Sequence, residues 1–412
     1  MKKFNLSLVT GALLASSAAF AQVTAITNAT VHTMTDKGVL KDATVLIEDG
    51  KIIAINPSSV SADVTIDAQD KILTPGFIGS MNQVGLVEVG AVSRSNDGYD
   101  KKASAMFDAS TAFNPRSSLI PYARKGGLTQ NVVVPRGGES IFSGLSFVTD
   151  LTGDFESVTA TETALIVRLG AKSSGSRAVS LKQLVDKLEG QQKKLAKKDK
   201  KEDKKDEPSK EEQVLTKVLK GELPVITKVS RASDILELLK VKKQFGLNLV
   251  LWNAEDAPLV KTQISESNTP VILSAVSNLP SDFDSLHASL ETAGELEKAG
   301  VKVLLAVGSD SSHNVYQLRF DAGIAVANGM SHDGALKAVT SNIADVFGLN
   351  AGKVAKGQRA DLVLWSADPF EFSTSIESMW INGEKVNTND SRHDKLRDRY
   401  NTPSDMPRAY TK

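Results

Sequence analysis

The chain has 412 residues, 49 Lys and Arg against 49 Asp and Glu, five His and no Cys. Without Cys there is no disulfide framework, thiolate zinc site, iron–sulfur cluster or thiol nucleophile, so any metal chemistry rests on imidazole and carboxylate. The charge balance argues against nucleic acid or an anionic membrane as a partner, and a 41% hydrophobic, 5% aromatic composition predicts a large aliphatic core, in one large domain with a smaller one beside it.

In chain order, Lys2 and Lys3 precede a mainly apolar stretch from Leu6 to Phe20, and Ala19-Phe20-Ala21 has the small-x-small pattern of a cleavage site. Residues 1–21 therefore read as a cleaved secretory leader, and the mature chain is expected in a periplasm. The apolar run is shorter than the roughly 20 residues a spanning helix needs. From Val23 to Leu73 short alternating strands follow, and Asp49-Gly50 between β-branched runs predicts a two-residue type I′ hairpin. The interior alternates short apolar strands (131–135, 164–169, 223–228, 247–252, 271–274 and 301–307) with helical patterns at 232–245 and 288–299, each helix followed by a capping Gly. Such alternation predicts βα units and favours a (β/α)8 barrel, because no Gly-x-Gly-x-x-Gly opens a helix after the first strand. Residues 191–212 hold nine Lys and seven Asp or Glu with a single Leu, a polyampholyte that reads as a solvated insertion, disordered or extending the helix of 181–188 as an arm that breaks at Pro208. Strands return at Asp361–Trp365 and around Asn382-Gly383, so β-rich segments from the two termini are expected to bury their faces against each other.

Five elements in this order resemble the amidohydrolase superfamily, in particular its imidazolonepropionase-like and related metal-dependent hydrolases. They are Ile26–Val31, Gly50-Lys51-Ile52, Leu73-Thr74-Pro75-Gly76-Phe77-Ile78, Ala338–Ala344 and Gly352–Val363. The resemblance spans about residues 25–390. It implies a TIM-type barrel at 75–351, a small β-sandwich composed of 22–74 and 352–390, and a tail at 391–412. It also implies a metal at the C-terminal barrel face whose hydroxide attacks an amide-like carbon.

The ligand positions depart from that pattern. Where the family writes Asp-x-His-x-His, this chain has Gly79-Ser80-Met81-Asn82-Gln83, and Lys228 and Trp252 stand where the fifth and sixth strands should each supply a His. Asp310 matches the acid of the last strand and is the candidate general base, with His313 a candidate partner; His332 reads as structural, His287 as partly buried or surface, and His32 and His393 belong to the terminal regions away from the barrel mouth. Arg116 and Arg136, in Gly-bearing loops, are candidates to hold a carboxylate. The expectation is an exported amidohydrolase-family protein, related to hydrolases of C–N bonds, without the usual metal centre and catalytically lapsed. It would bind a small amide, peptide-like or anionic ligand, or support an active paralogue or a second copy of itself. The alternative is an active amidohydrolase or dipeptidase-like enzyme using Asp310, with zinc or another divalent ion only in an atypical site such as Asp97, Asp100 and Asp310.

Overall fold

The computed structural model describes residues 22–170, 175–198, 207–307 and 312–401. The expected leader at 1–21 and Asp310 lie outside the described residues. No described helix is long and apolar enough to cross a membrane.

The chain begins with β1 (Thr24–His32), β2 (Val39–Glu48), β3 (Lys51–Ile55), β4 (Val64–Asp67) and β5 (Ile72–Pro75). Asp49 and Gly50 join β2 to β3 with φ of 48° and 72°, the doubly left-handed turn expected of that dipeptide. The barrel strands follow: β6 (Phe77–Asn82), β7 (Leu128–Val133), β8 (Phe142–Asp150), β9 (Val158–Arg168), β10 (Val225–Val229), β11 (Leu249–Asn253), β12 (Val271–Leu273) and β13 (Val303–Leu305). The chain then returns as β14 (Leu362–Trp365), β15 (Ile376–Ile381) and β16 (Glu384–Lys385) to complete the first sheet, in the order β16-β15-β14-β5-β1-β2-β3 with β4 beside β1. The termini meet where β14 pairs antiparallel with β5. Their shared core includes Ile26, Val45, Ile52, Leu73, Leu362 and Trp380.

The second sheet runs β6 to β13 in sequence order and forms a nearly closed barrel. Each strand sends one aliphatic side chain into a common interior cluster: Ile78, Val132, Val148, Ile166, Ile226, Val250, Ile272 and Leu304. Alternate residues such as Leu165, Val225, Leu249 and Val303 face the helical layer, as the two-residue period of a strand requires. Full burial of each such side chain is worth roughly 1.5–3 kcal/mol. The barrel differs from a uniform (β/α)8 design at β8, which is antiparallel to both β7 and β9. The links at 134–141 and 151–157 carry no helix. They are shorter than the dozen or so residues of a parallel crossover, so the chain must reverse direction.

The helices are α1 (Leu119–Arg124), α2 (Arg177–Lys198), α3 (Lys210–Leu219), α4 (Ala232–Phe245), α5 (Lys261–Glu266), α6 (Thr292–Lys298), α7 (Leu318–Ala327), α8 (His332–Ala338), α9 (Ser341–Phe347) and α10 (Arg392–Asn401). On α4, Ile235, Leu238, Val241 and Phe245 make one buried stripe, ended by Gly246 at φ 68°. Of the charged segment, residues 199–206 lie outside the described residues. Residues 191–198 continue α2, and Ser209 and Glu212 form a capping box that restarts the helix as α3. Gln191 is buried and donates to Thr216 Oγ1 at 2.9 Å, so the two helices are tied together.

Two histidines meet where β1 ends against α8. Their rings lie 6.0 Å apart, and His332 Nε2 is 2.8 Å from Asp368 Oδ2. Burial, and then His332, hold the His32 pKa below its ordinary value, whereas the hydrogen bond to Asp368 raises that of His332. The stabilising contribution of His332 is thus complete below the unfolded value of about 6.5 and lost as pH rises through its folded value. His32 acts oppositely, costing stability as pH falls below about 6.5 toward its lowered value. In thermal melts across pH 5–8, His32→Gln should weaken acid destabilisation and His332→Gln should strengthen it. Shifts of the same sign in both variants would contradict this arrangement.

Candidate functional site

The interior ring also sets the positions of the groups at the barrel mouth. Two residues beyond Ile166, Ile226 and Val250 stand Arg168, Lys228 and Trp252, and two residues along a strand restores the same face. The ladders align these three in one row, with Lys228 paired to Arg168 on one side and to Trp252 on the other. The Lys228 ammonium lies 5.1 Å from the centre of the Trp252 ring, within cation–π range. Across the mouth, Met81 joins the interior cluster through an irregularity of β6: its φ is 58°, and the β6–β7 register shifts between Gly79 and Asn82. Buried Asn82 and Asn131 exchange amide hydrogen bonds of 2.7 and 2.9 Å beneath it. The Gln83 amide donates to Ser312 Oγ at 3.0 Å, tying the first barrel strand to the segment after the last.

Met81, Gln83, Lys228 and Trp252 line one cleft of about 740 Å³, together with Arg136, Arg168 and Glu255. Left-handed Asn253 (φ 73°) and Ala254 (φ 50°) turn the chain out of β11, and Asn253 Nδ2 holds Glu255 Oε1 at 3.1 Å. Consecutive non-glycine residues in this region are uncommon and cluster at functional sites. The wall at 281–285 is pinned through Asp284, which pairs with Arg177 and with Arg231 Nε at 2.7 Å. Burial, and then the charge of Arg136, lower the Arg168 pKa; its Nη2 donates to Gly138 O at 2.7 Å. Two guanidiniums that repel each other across a cleft favour an anion between them.

The four positions where the resemblance leads one to expect metal ligands therefore line one cleft, but their donor set is a thioether, a carboxamide, an ammonium and an indole. An ammonium repels a divalent cation, an indole N–H has no lone pair to offer, and neither thioether nor amide suits hydrolytic zinc. The residues do not fit the family's metal. Among the described residues, no group of three His, Asp or Glu is placed to hold a metal ion.

The other candidates are dispersed. His313 is exposed at the start of the segment after β13, and Asp310, the candidate base, lies outside the described residues, so the suggested pair is not seen. Asp97 and Asp100 are exposed on the long segment between β6 and α1. Arg136 lines the mouth, whereas Arg116 lines a separate cleft beside α10, so the two do not share a ligand pocket. His287 Nδ1 contacts Asp256 Oδ1 at 2.7 Å, and that Asp also accepts from the first amide of α4 through Oδ2. Sequence reasoning missed Arg168. The available signal was a charged residue closing an apolar strand, Ala-Leu-Ile-Val-Arg, at the barrel end where such residues usually serve function.

The sequence pattern of the amidohydrolase family matches residues 210–386. An amidohydrolase from Thermotoga maritima superposes with a TM-score of 0.81 at 25% identity, covering 88% of this chain and 99% of its own. Ochratoxinase from A. niger (TM-score 0.55, 15% identity, 90% and 99% covered) and a prolidase bound to N-methylphosphonate-L-proline (0.54, 14%, 89% and 99%) share the fold. No curated protein matches the chain. In its second half the chain matches the amidohydrolase family, and as a whole it is similar in fold to an amidohydrolase, which supports a hydrolase-like protein of the amidohydrolase type.

Proposed function

We propose that this is an exported amidohydrolase-superfamily protein that has given up hydrolytic metal chemistry and uses its barrel mouth to bind a small anionic or peptide-like ligand. The observation that carries this reading is the convergence of Met81, Gln83, Lys228 and Trp252 on one cleft, with no imidazole among them. Loss of one ligand is open to compensation. Substitution of all four removes the charge that brings bound water's pKa toward 7. Arg136, Arg168 and Lys228 instead supply positive charge for a carboxylate, while Trp252 offers a flat apolar face beside it.

The mature protein, purified without chelator, should carry well under one equivalent of zinc, manganese or iron. Stoichiometric metal by elemental analysis would overturn the reading. With succinate and benzoate as probes, calorimetry should detect binding that Arg168→Glu weakens at least tenfold. Equal affinity in the variant would remove the cleft from the ligand's path.

A further inference from the structure

Arg116, separated by the fold from Arg136, faces a second cleft of about 410 Å³ between the segment before α1, the turn after β8 and helix α10. The helix is held by its acidic residues. Asp390, just before it, accepts from Arg124 Nη2 through both carboxylate oxygens at 2.9 Å, and Arg124 Nη1 donates to Leu151 O and Thr152 O at 2.9 and 2.8 Å. Lys125 Nζ reaches Asp394 Oδ1 at 2.6 Å, while Asp394 Oδ2 accepts from the Ser391 amide. Docking through Asp390 and Asp394 turns the opposite charges outward. Arg392, Lys395 and Arg399, spaced three and four apart, share one helical face and line the cleft.

Five cations and one carboxylate line this cleft, in a chain whose charges cancel overall at 49 against 49. Arg124 and Asp390 neutralise each other. Among the described residues, Arg116, Arg392, Lys395 and Arg399 form no ion pair. Asp394 is engaged by Lys125 and Arg397, and Glu88 accepts from Asn114 Nδ2 and from the hydroxyl of the lining residue Ser118, at 3.3 and 3.4 Å. Leu396 and Ile120 add an apolar wall. Guanidinium forks match phosphate oxygens in pairs and a lysine adds a point charge, so concentrated, unpaired Arg and Lys around a concave site suit a multiply charged phosphate better than a single carboxylate.

We propose that this second cleft binds a phosphate-bearing anion, with Arg116 on one wall and Arg392, Lys395 and Arg399 on the other. The same chemistry is presented by a soluble phosphate ester and by an anionic phospholipid headgroup. The full mature chain would be titrated calorimetrically with tripolyphosphate, glycerol 3-phosphate and citrate. It would also be co-sedimented with phosphatidylglycerol and with phosphatidylcholine vesicles. Saturable binding of the soluble phosphates supports a free phosphate ligand, and selective sedimentation with phosphatidylglycerol supports a headgroup. In either case Lys395→Glu with Arg399→Glu should weaken binding at least tenfold, with an unchanged melting temperature and unchanged binding of carboxylates at the barrel mouth. No binding of any phosphate probe, citrate binding as tight as tripolyphosphate, or an unaffected double variant would each overturn the proposal. Should that variant melt early, Arg116→Glu, on the opposite wall, must give the same loss, and its failure to do so counts against the site.

Discussion

Asp361→Ala should lower the unfolding free energy by about 3–5 kcal/mol, because it leaves three donors without their acceptor at about 1–3 kcal/mol for each buried group left unpaired. Asp361 is 2% exposed, immediately before β14. Its Oδ1 accepts from Arg359 Nε at 3.0 Å and the Asn382 amide at 2.7 Å, and its Oδ2 from Gln130 Nε2 at 2.6 Å. Arg359 continues to Asp150 at 2.9 Å. One carboxylate thus joins the terminal sheet to β7, while its arginine partner reaches the end of β8. Burial lowers the Arg359 pKa, but Asp361 and Asp150 outweigh it and raise the value, so the guanidinium remains charged and would be left with Asp150 alone in the variant. Urea unfolding measures the loss. A change below about 1 kcal/mol, the scale of an exposed pair, would show that the network contributes no more than a surface ion pair does.

Trp365→Ala should cost a similar amount, about 3–5 kcal/mol, through a cavity that its neighbours cannot close. The indole is fully buried, donates to Thr74 Oγ1 at 2.9 Å and lies 5.3 Å from the Phe77 ring, centre to centre. The Arg319 guanidinium lies 5.5 Å from the indole ring centre. Gly127, at φ 82°, makes room for the ring: a Cβ there would sit 2.3 Å from the indole edge. Collapse into the cavity would have to move the Phe77 and Thr74 strands. Retention of wild-type stability in the same urea titration would mean that the site repacks freely.

Much of the architecture was legible because its signals are local. Asp49-Gly50 and Asn382-Gly383 marked hairpins because both positions of each turn are left-handed, as the structure finds. The stripe on α4 and its Gly cap placed that helix at 232–245, where it lies. β8 was not recognised: Phe142-Ser-Gly-Leu-Ser-Phe carries small polar residues that read as a loop in isolation. The strand is buried throughout because two ladders and the segment before α1 cover it. The helical arm expected from 181–188 toward Pro208 continues to Lys198, but what it packs against was not legible. Composition registers the lysines but not that Gln191 faces Thr216 on a neighbouring helix.

By itself the sequence determined the donor inventory: no thiol, and no imidazole between His32 and His287, so that no shift of alignment restores the family's metal ligands. Short-range patterns also marked most of the barrel strands and the caps, since turn dihedrals and side-chain periodicity act within a few residues. Only the tertiary structure decided which charged groups meet. Arg168, Lys228 and Trp252 form one row because two strand ladders share a register, and Arg116 leaves Arg136 for α10 because a carboxylate far along the chain draws that helix onto Arg124. Such pairings depend on long-range registry and on the desolvation of partners remote in sequence, which no local pattern encodes.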